Sequence, residues 1–462
     1  MKEEKITKKR KGAIRVRLID SITAILNTLC YGLIWYMYYV PRLYKPFFRK
    51  GNWFIIFLFF LLFVAFSRIY GSYRISVSRT AELIYGHFLA EIFSNFFIYL
   101  IMLLINRRLL NPLPLIGTMI IEFIISFFWC KAAHKWYFRT FDKQRTAIIW
   151  NEREDLDKLI NEYGLNNYYH VEKNISVRES LSEEHFGIND YDSVFLIDLN
   201  SHDRNSIMEY CVAEGISVYL TPRFGDTMMW GSKPTHLLHL PIVRVDGYDP
   251  SPEFLFLKRF FDVILSTLGI IILSPLMIGT AIAIKAHDNG PVFYRQFRET
   301  KDGRLFELIK FRSMRVDAEK DGVARLSTGE NDDRVTSVGR VIRRTRIDEL
   351  PQLFNILKGD MSIVGPRPER PEISKQYAEN LPEWPLRLQC KCGLTGYAQV
   401  YGKYNTTPRD KLLMDLTYIS KPSIVEDMKI IFATVKILFT KESTEGVKTG
   451  QMTAESSGQN VN

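Results

Sequence analysis

The chain has 462 residues, 47% hydrophobic and 24% charged, with a net charge of +10. Its five cysteines (Cys30, Cys130, Cys211, Cys390, Cys392) are an odd set that excludes a disulfide framework and places the soluble parts in a reducing compartment. The basic balance calls for an anionic partner: nucleic acid, lipid headgroup or phosphorylated small molecule.

Four apolar stretches, Leu18 to Val40, Trp53 to Tyr70, Leu83 to Ile105 and Leu113 to Cys130, each approach the ~20 residues that span a bilayer. They predict an N-terminal four-helix transmembrane bundle over 1–140, and make lipid-borne phosphate, not nucleic acid, the nearest partner. The basic arm KKRKGAIRVR precedes the first stretch, and Lys131, Lys135, Arg139, Lys143 and Arg145 follow the fourth. The positive-inside tendency therefore puts both ends in the cytoplasm. Arg42, Lys45, Arg49 and Lys50 in the first external loop run against that tendency. No signal-peptide cleavage pattern is expected.

Over 141–250 the runs TAIIW, SVFLID and ISVYLTP alternate with the helical candidates EREDLDKLINEY and DRNSIMEYCVAEG. This alternation predicts a small Rossmann-like parallel α/β domain. Its first strand runs into Trp150, Asn151 and Glu152 without a glycine fingerprint, so a structural or regulatory role is expected.

Phe260 to Ile284 is long enough to span, yet Lys258 and Arg259 precede it and Lys285 follows it. Cations on both flanks and a proline near its middle predict a re-entrant helix-break-helix with the break at Ser274 and Pro275. An ordinary fifth span would strand the charged domain that follows on the far side.

That domain, 251–440, is read as α+β and anchored by the re-entrant helix and amphipathic helices. Asp302-Gly303 between two apolar runs signals a hairpin whose second arm delivers Lys310 and Arg312. In RIDELPQLFNILKGD, Pro351 fits the first turn of a helix, with Asp348 as cap and Glu349 as opening residue. Arg340, Arg343, Arg344 and Arg346 crowd the preceding stretch, and GPRPER supplies Arg367 and Arg370. Helix start, acid pair and arginines together suit phosphate.

The ordered motifs KRFFDV, LSPL, FYRQ, KFRSM, RVTSVGR, DELPQLFNILKGDMSIVGPRP and GLTGYAQV, from about Lys258 to Phe439, resemble the bacterial sugar transferases, monotopic phosphoglycosyl transferases. The four spans and α/β domain look like its larger members, which initiate exopolysaccharide, capsule or O-antigen synthesis. The resemblance implies that Asp348 is a nucleophile, Glu349 its partner, and Mg²⁺ the ion bound at the pair. It further implies a UDP-sugar donor, polyprenyl phosphate as acceptor and release of UMP. Lys310, Arg312 and Arg367 would contact phosphates or nucleotide, with Arg340 and Arg344 as weaker candidates. Arg346 stands where similar enzymes often carry a small polar residue.

The chemistry is consistent in itself. A carboxylate attacking a diphosphate meets repulsion of about 4 kcal/mol per like-charge pair at 4 Å and an effective dielectric of 20, so cations are required. The implied location is the bacterial inner membrane, multi-pass, with the soluble domains cytoplasmic. Membrane lipids are expected partners, and a homodimer is allowed. The rivals are a conventional glycosyltransferase releasing UDP and a non-catalytic scaffold or nucleotide-sugar sensor. Cys390 and Cys392 are read as incidental. GLTGYAQ is placed near the active site without an assigned contact, 414–439 lies on the membrane surface or in the core, and 441–462 is expected to be a disordered tail.

Overall fold

A computed structural model describes residues 2–45, 47, 49–153, 156–237, 240–316, 318, 334–402 and 406–438. The expected tail, 441–462, lies outside them. The chain forms two compact units, Met1–Thr221 and Pro222–Asn462.

The first unit opens with four long helices, α1 (Lys2–Ile34), α2 (Arg49–Ile69), α3 (Thr80–Asn106) and α4 (Leu113–Thr140). These four, with one helix of the second unit, make five helices long and apolar enough to cross a membrane, so the chain is a membrane protein. Leucines and isoleucines such as Leu104 and Ile120 face outward, while Asn27, Glu91, Asn95, Glu122 and Ser126 are buried. Asn27 Nδ2 donates to Ser126 Oγ at 3.0 Å, and Asn95 Nδ2 donates to Glu122 Oε2 at 2.6 Å. Such interhelical bonds tie helices together where apolar burial gives no preference between neighbour and lipid.

The same unit continues into a four-stranded parallel sheet of order β2-β1-β3-β4. Its strands are β1 (Gln144–Trp150), β2 (Tyr169–Ser176), β3 (Ser193–Ile197) and β4 (Ser217–Leu220), with α5 (Leu156–Glu162) and α6 (Ser201–Glu214) between them. Ala147, Ile149, Val194 and Leu196 pack on Ile207 and Cys211 of α6. The expected α/β domain is present, and β2 is a strand the sequence reading lacked. Its sequence YHVEKNIS is mostly polar because one of its edges is unpaired.

In the second unit a hairpin of β5 (Lys233–Leu237) and β6 (Leu240–Arg244) precedes α7 (Pro252–Asp288). At 37 residues α7 would measure about 55 Å if straight. Where a helix-break-helix was expected, the chain stays helical through Ser274 and Pro275. Proline removes the N–H that Ile271 C=O would accept, and Ser274 Oγ donates to that carbonyl instead at 2.8 Å.

The first turns of α7 grip the rest of the unit. Lys258 Nζ donates to Val364 O at 3.0 Å, Arg259 to Ile356 O and Leu357 O at 2.7 Å each, and Ile363 N–H donates to Asp262 Oδ1 at 2.9 Å. At the other end Met277 and Ile284 pack against Phe311 and Ile342, and Arg312 pairs with Asp288.

The Asp302-Gly303 hairpin forms as expected, with β7 (Phe293–Glu299) antiparallel to β8 (Leu305–Phe311). After α8 (Ser337–Arg344) come a one-turn 3₁₀ helix, Ile347–Glu349, and α9 (Gln352–Lys358). Then β9 (Ser362–Val364) pairs in parallel with β10 (Gly393–Thr395). The segment 408–438 forms α10 (Pro408–Ser420) and α11 (Ile424–Leu438), whose Leu412, Leu416, Ile419 and Ile430 lie in the core with Trp384.

Candidate active site

Asp348 does not cap a helix. Pro351 itself stands at the N-cap of α9, and no side chain caps that helix. The reason is Arg346, whose φ of +57° turns the chain into the left-handed region before a single 3₁₀ turn carries Ile347, Asp348 and Glu349. For a residue with a Cβ this conformation costs about 1 kcal/mol or more. It aims two adjacent carboxyl groups at one cavity.

The cavity has a volume of about 1360 Å³. Asp348, Glu349, Lys310, Arg312, Arg367, Arg340 and Arg344, all singled out in the sequence, line it. They do not act alike. Glu349 Oε1 accepts from Lys310 Nζ at 3.1 Å and from Arg367 Nη2 at 3.2 Å, with Arg346 Nη1 at 3.8 Å. Arg312, in contrast, is buried and committed to a two-pronged pair with Asp288, one contact being 2.8 Å. Arg340 and Arg344 are exposed on α8.

Electrostatics separate the two acids. Burial raises Glu349, but Lys310, Arg367 and Arg346 outweigh it and hold the carboxylate well below its ordinary range. Asp348 is pushed up to about 6, first by burial and then by the charge of Glu349, against the pull of Lys310, Arg343 and Arg346. Its Oδ1 is buried without a hydrogen-bond partner, and so is Nη1 of Arg343. Burial also lowers Lys310 and brings Arg298 down to about 10, whereas Glu349 raises Arg367. The arrangement is one neutralised carboxylate beside one unmet carboxyl group in a cation-lined hollow.

Several positioning groups were not singled out in the sequence. Asn355 Nδ2 donates to Glu307 O at 2.8 Å, and Ile309 N–H donates to Asn355 Oδ1 at 3.1 Å, fixing β8 and hence Lys310 against α9. Arg387 pairs with Asp415 at 2.7 Å and donates to Arg367 O at 2.9 Å, steadying the GPRP loop. Only a buried polar residue amid an apolar run, as in LFNIL, hints at this. GLTG gains a role too. Gly365 N–H donates to Thr395 O and Gly393 N–H to Pro366 O, both at 2.9 Å. The backbones are so close that a Cβ on Gly393 would lie 2.1 Å from Gly365 N.

Cys390 and Cys392 are free and buried, with thiols pushed up to about 12 by burial. Among the described residues no group of three His, Cys, Asp or Glu side chains could hold a metal by itself.

The profile of the bacterial sugar transferase family matches residues 254–441. The chain is 40% identical over 191 residues to a UDP-glucose:undecaprenyl-phosphate glucose-1-phosphate transferase of Caulobacter vibrioides, covering 40% of this chain and 71% of that protein. It is 41% identical over 190 residues to exopolysaccharide production protein PSS of Rhizobium leguminosarum, covering 39% and 94%. Against a UDP-N-acetylgalactosamine-undecaprenyl-phosphate N-acetylgalactosaminephosphotransferase of Aeromonas hydrophila it is 38% identical over 233 residues, covering 50% and 54%, about half of that relative. With the motif order, the acid pair and its cations assembled around one cavity, and these matches, the chain belongs to the bacterial sugar transferase family.

Proposed function

We propose that the protein transfers a sugar 1-phosphate from a UDP-sugar to polyprenyl phosphate, releasing UMP and forming a polyprenyl-diphosphate sugar. The observation that carries this reading is the buried, partnerless Oδ1 of Asp348 beside a Glu349 already neutralised by Lys310 and Arg367. An ionised Asp348 oxygen attacks the sugar-bearing phosphorus, and the P–O bond to the UMP leaving group breaks. The resulting acyl phosphate is resolved when an oxygen of the lipid phosphate attacks the same phosphorus and returns the carboxylate. Arg367 and Lys310 would exchange part of their contact with Glu349 for phosphate oxygens, and Arg343 would bring an uncommitted donor. The names of the relatives above support the donor and acceptor classes.

A magnesium ion fits this donor set. Asp348 and Glu349 would hold it, with Asp348 Oδ1 the oxygen left unmet. Because the described residues offer no third acid, diphosphate and water would complete the shell, as this ion prefers. The ion would supply charge neutralisation of the diphosphate.

We further propose that α7 is re-entrant. Both its ends hold the same unit: Lys258, Arg259 and Asp262 near the start, Ile284 and Asp288 near the end. A helix crossing the bilayer could not present one domain with both ends. The cytoplasmic face of the bacterial inner membrane is the placement this reading requires, and polysaccharide assembly the use. The test is to incubate membranes with a panel of UDP-sugars and undecaprenyl phosphate while identifying the released nucleotide. UMP, together with a labelled phosphosugar adduct absent from Asp348→Asn, is the expected result. UDP would sink it in favour of a conventional glycosyltransferase.

A further inference from the structure

The segments joining α1 to α2 and α3 to α4 come together at one end of the first unit. Tyr44 N–H donates to Asn106 Oδ1 at 2.7 Å, Tyr39 Oη donates to Asn111 O at 3.0 Å, and Asn111 Nδ2 donates to Tyr38 Oη at 3.4 Å. This joined surface carries Arg42, Lys45, Lys50, Arg107 and Arg108, all exposed. From Ser21 to Ala81 and from Ile92 to Ile121 the chain has no Asp or Glu, so neither these loops nor the helix halves that feed them supply a counter-charge.

Two of the cations are held in place. The Arg42 guanidinium lies 3.9 Å from the centroid of the Tyr38 ring and donates to Tyr38 O at 2.9 Å. Arg108 lies 4.2 Å from the centroid of the Tyr44 ring. Arg107 stands beside Arg108 at the end of α3, with φ of +55° and its backbone N–H donating to Leu103 O. A merely solvated basic face has no need of such ordering. The positive-inside tendency also disfavours cations here if the termini are cytoplasmic, since these loops then lie on the opposite side.

We infer that this end of the four-helix unit is a binding surface for anionic phospholipid headgroups. The charge complement fits a phosphodiester, which accepts from guanidinium forks in planar, two-pronged fashion. The neighbours select a lipid over a free ion. Met37, Trp53, Leu104, Leu109 and Leu113 are each more than 60% exposed around the cations, where only acyl chains and the interfacial zone would cover them. The surface shares no residue with the catalytic cavity, whose lining belongs to the second unit alone, and stands whether or not the transferase reading holds.

The test uses the full chain in detergent, with native mass spectrometry counting retained phosphatidylglycerol, phosphatidylcholine as the zwitterionic arm and inorganic phosphate as the headgroup-free arm. Wild type is expected to retain phosphatidylglycerol roughly tenfold better than phosphatidylcholine. Arg42→Gln/Arg107→Gln/Arg108→Gln should lose that preference, while the matching triple Lys variant keeps most of it. Lys45→Gln/Lys50→Gln, which alters neither stacked arginine, should lower the preference in part, and it decides the matter if the triple Gln variant misfolds. Equal retention of the two lipids by wild type, or an unchanged preference in both Gln variants, would overturn the inference. So would inorganic phosphate displacing phosphatidylglycerol at equal concentration, which would make this a free-anion site.

Discussion

Two charge clusters of the second unit each join a lysine to a carboxylate and end in opposite states. Around Lys258 the three ammonium donors meet three acceptors, Val364 O, Tyr418 Oη and Asp427 Oδ2, and Tyr418 Oη donates to the other Asp427 oxygen at 2.8 Å. Around Glu349 three cations converge on one carboxylate oxygen while Asp348 Oδ1 is left without a partner. The first cluster is closed and holds the membrane helix to the core. The second carries surplus positive charge that a diphosphate would complete, and a buried group left unmet is where chemistry is to be sought.

The sharpest way to break this contrast is Asp348→Asn, which should lower UMP release by on the order of 10⁴-fold with the fold intact. Lys258→Met tests the closed cluster. It strands Asp427 without its cation and should destabilise the second unit by about 3–5 kcal/mol, read as a fall in denaturation midpoint. Next in size is Glu349→Gln, expected to reduce turnover by about 10²-fold. Because Glu349 is one of the causes that raise Asp348, the same substitution should move the acid limb of the pH–rate profile below about 6.

The smallest effect concerns stability. Asp348 rises from 3.8 to about 6 in the fold, so its ionisation weighs against folding. The penalty is absent below the unfolded value, grows as pH rises towards the folded value, and is complete above it. Asp348→Asn should therefore show a higher denaturation midpoint than wild type at pH 8 and no higher a midpoint at pH 4. An equal midpoint at pH 8 would show that this carboxyl group is not held out of water.

What the sequence disclosed divides along physical lines. Hydropathy over twenty residues is a strong signal, so α1 to α4 and α7 were legible, as was the Asp302-Gly303 turn, where both residues take positive φ. The acid pair and every cation chosen from the sequence line one cavity because motif order stood in for geometry. What failed was local inference. Asp348 was read as a helix cap because D-E-L-P looks like one, but the left-handed Arg346 upstream changes the phase of the chain. For the same reason spacing could not assign Arg343 to Asp348. Ser274 and Pro275 stay helical, and the hydroxyl that takes up the carbonyl left unmet by proline cannot be weighed from composition alone. The pairing of Arg312 with Asp288, 24 residues earlier, is a contact that spacing does not disclose.

Asn355 has a consequence beyond holding Lys310. The β7–β8 hairpin has only two strands, and Asn355 fills hydrogen-bonding places at Glu307 and Ile309 on the outer side of β8. With those groups taken by a side-chain amide, a stray strand from another molecule finds little to zip onto. One amide thus protects a ribbon that carries exposed Phe297 and Leu305 from self-association. An Asn355→Leu variant would lose solubility as well as its lysine's alignment.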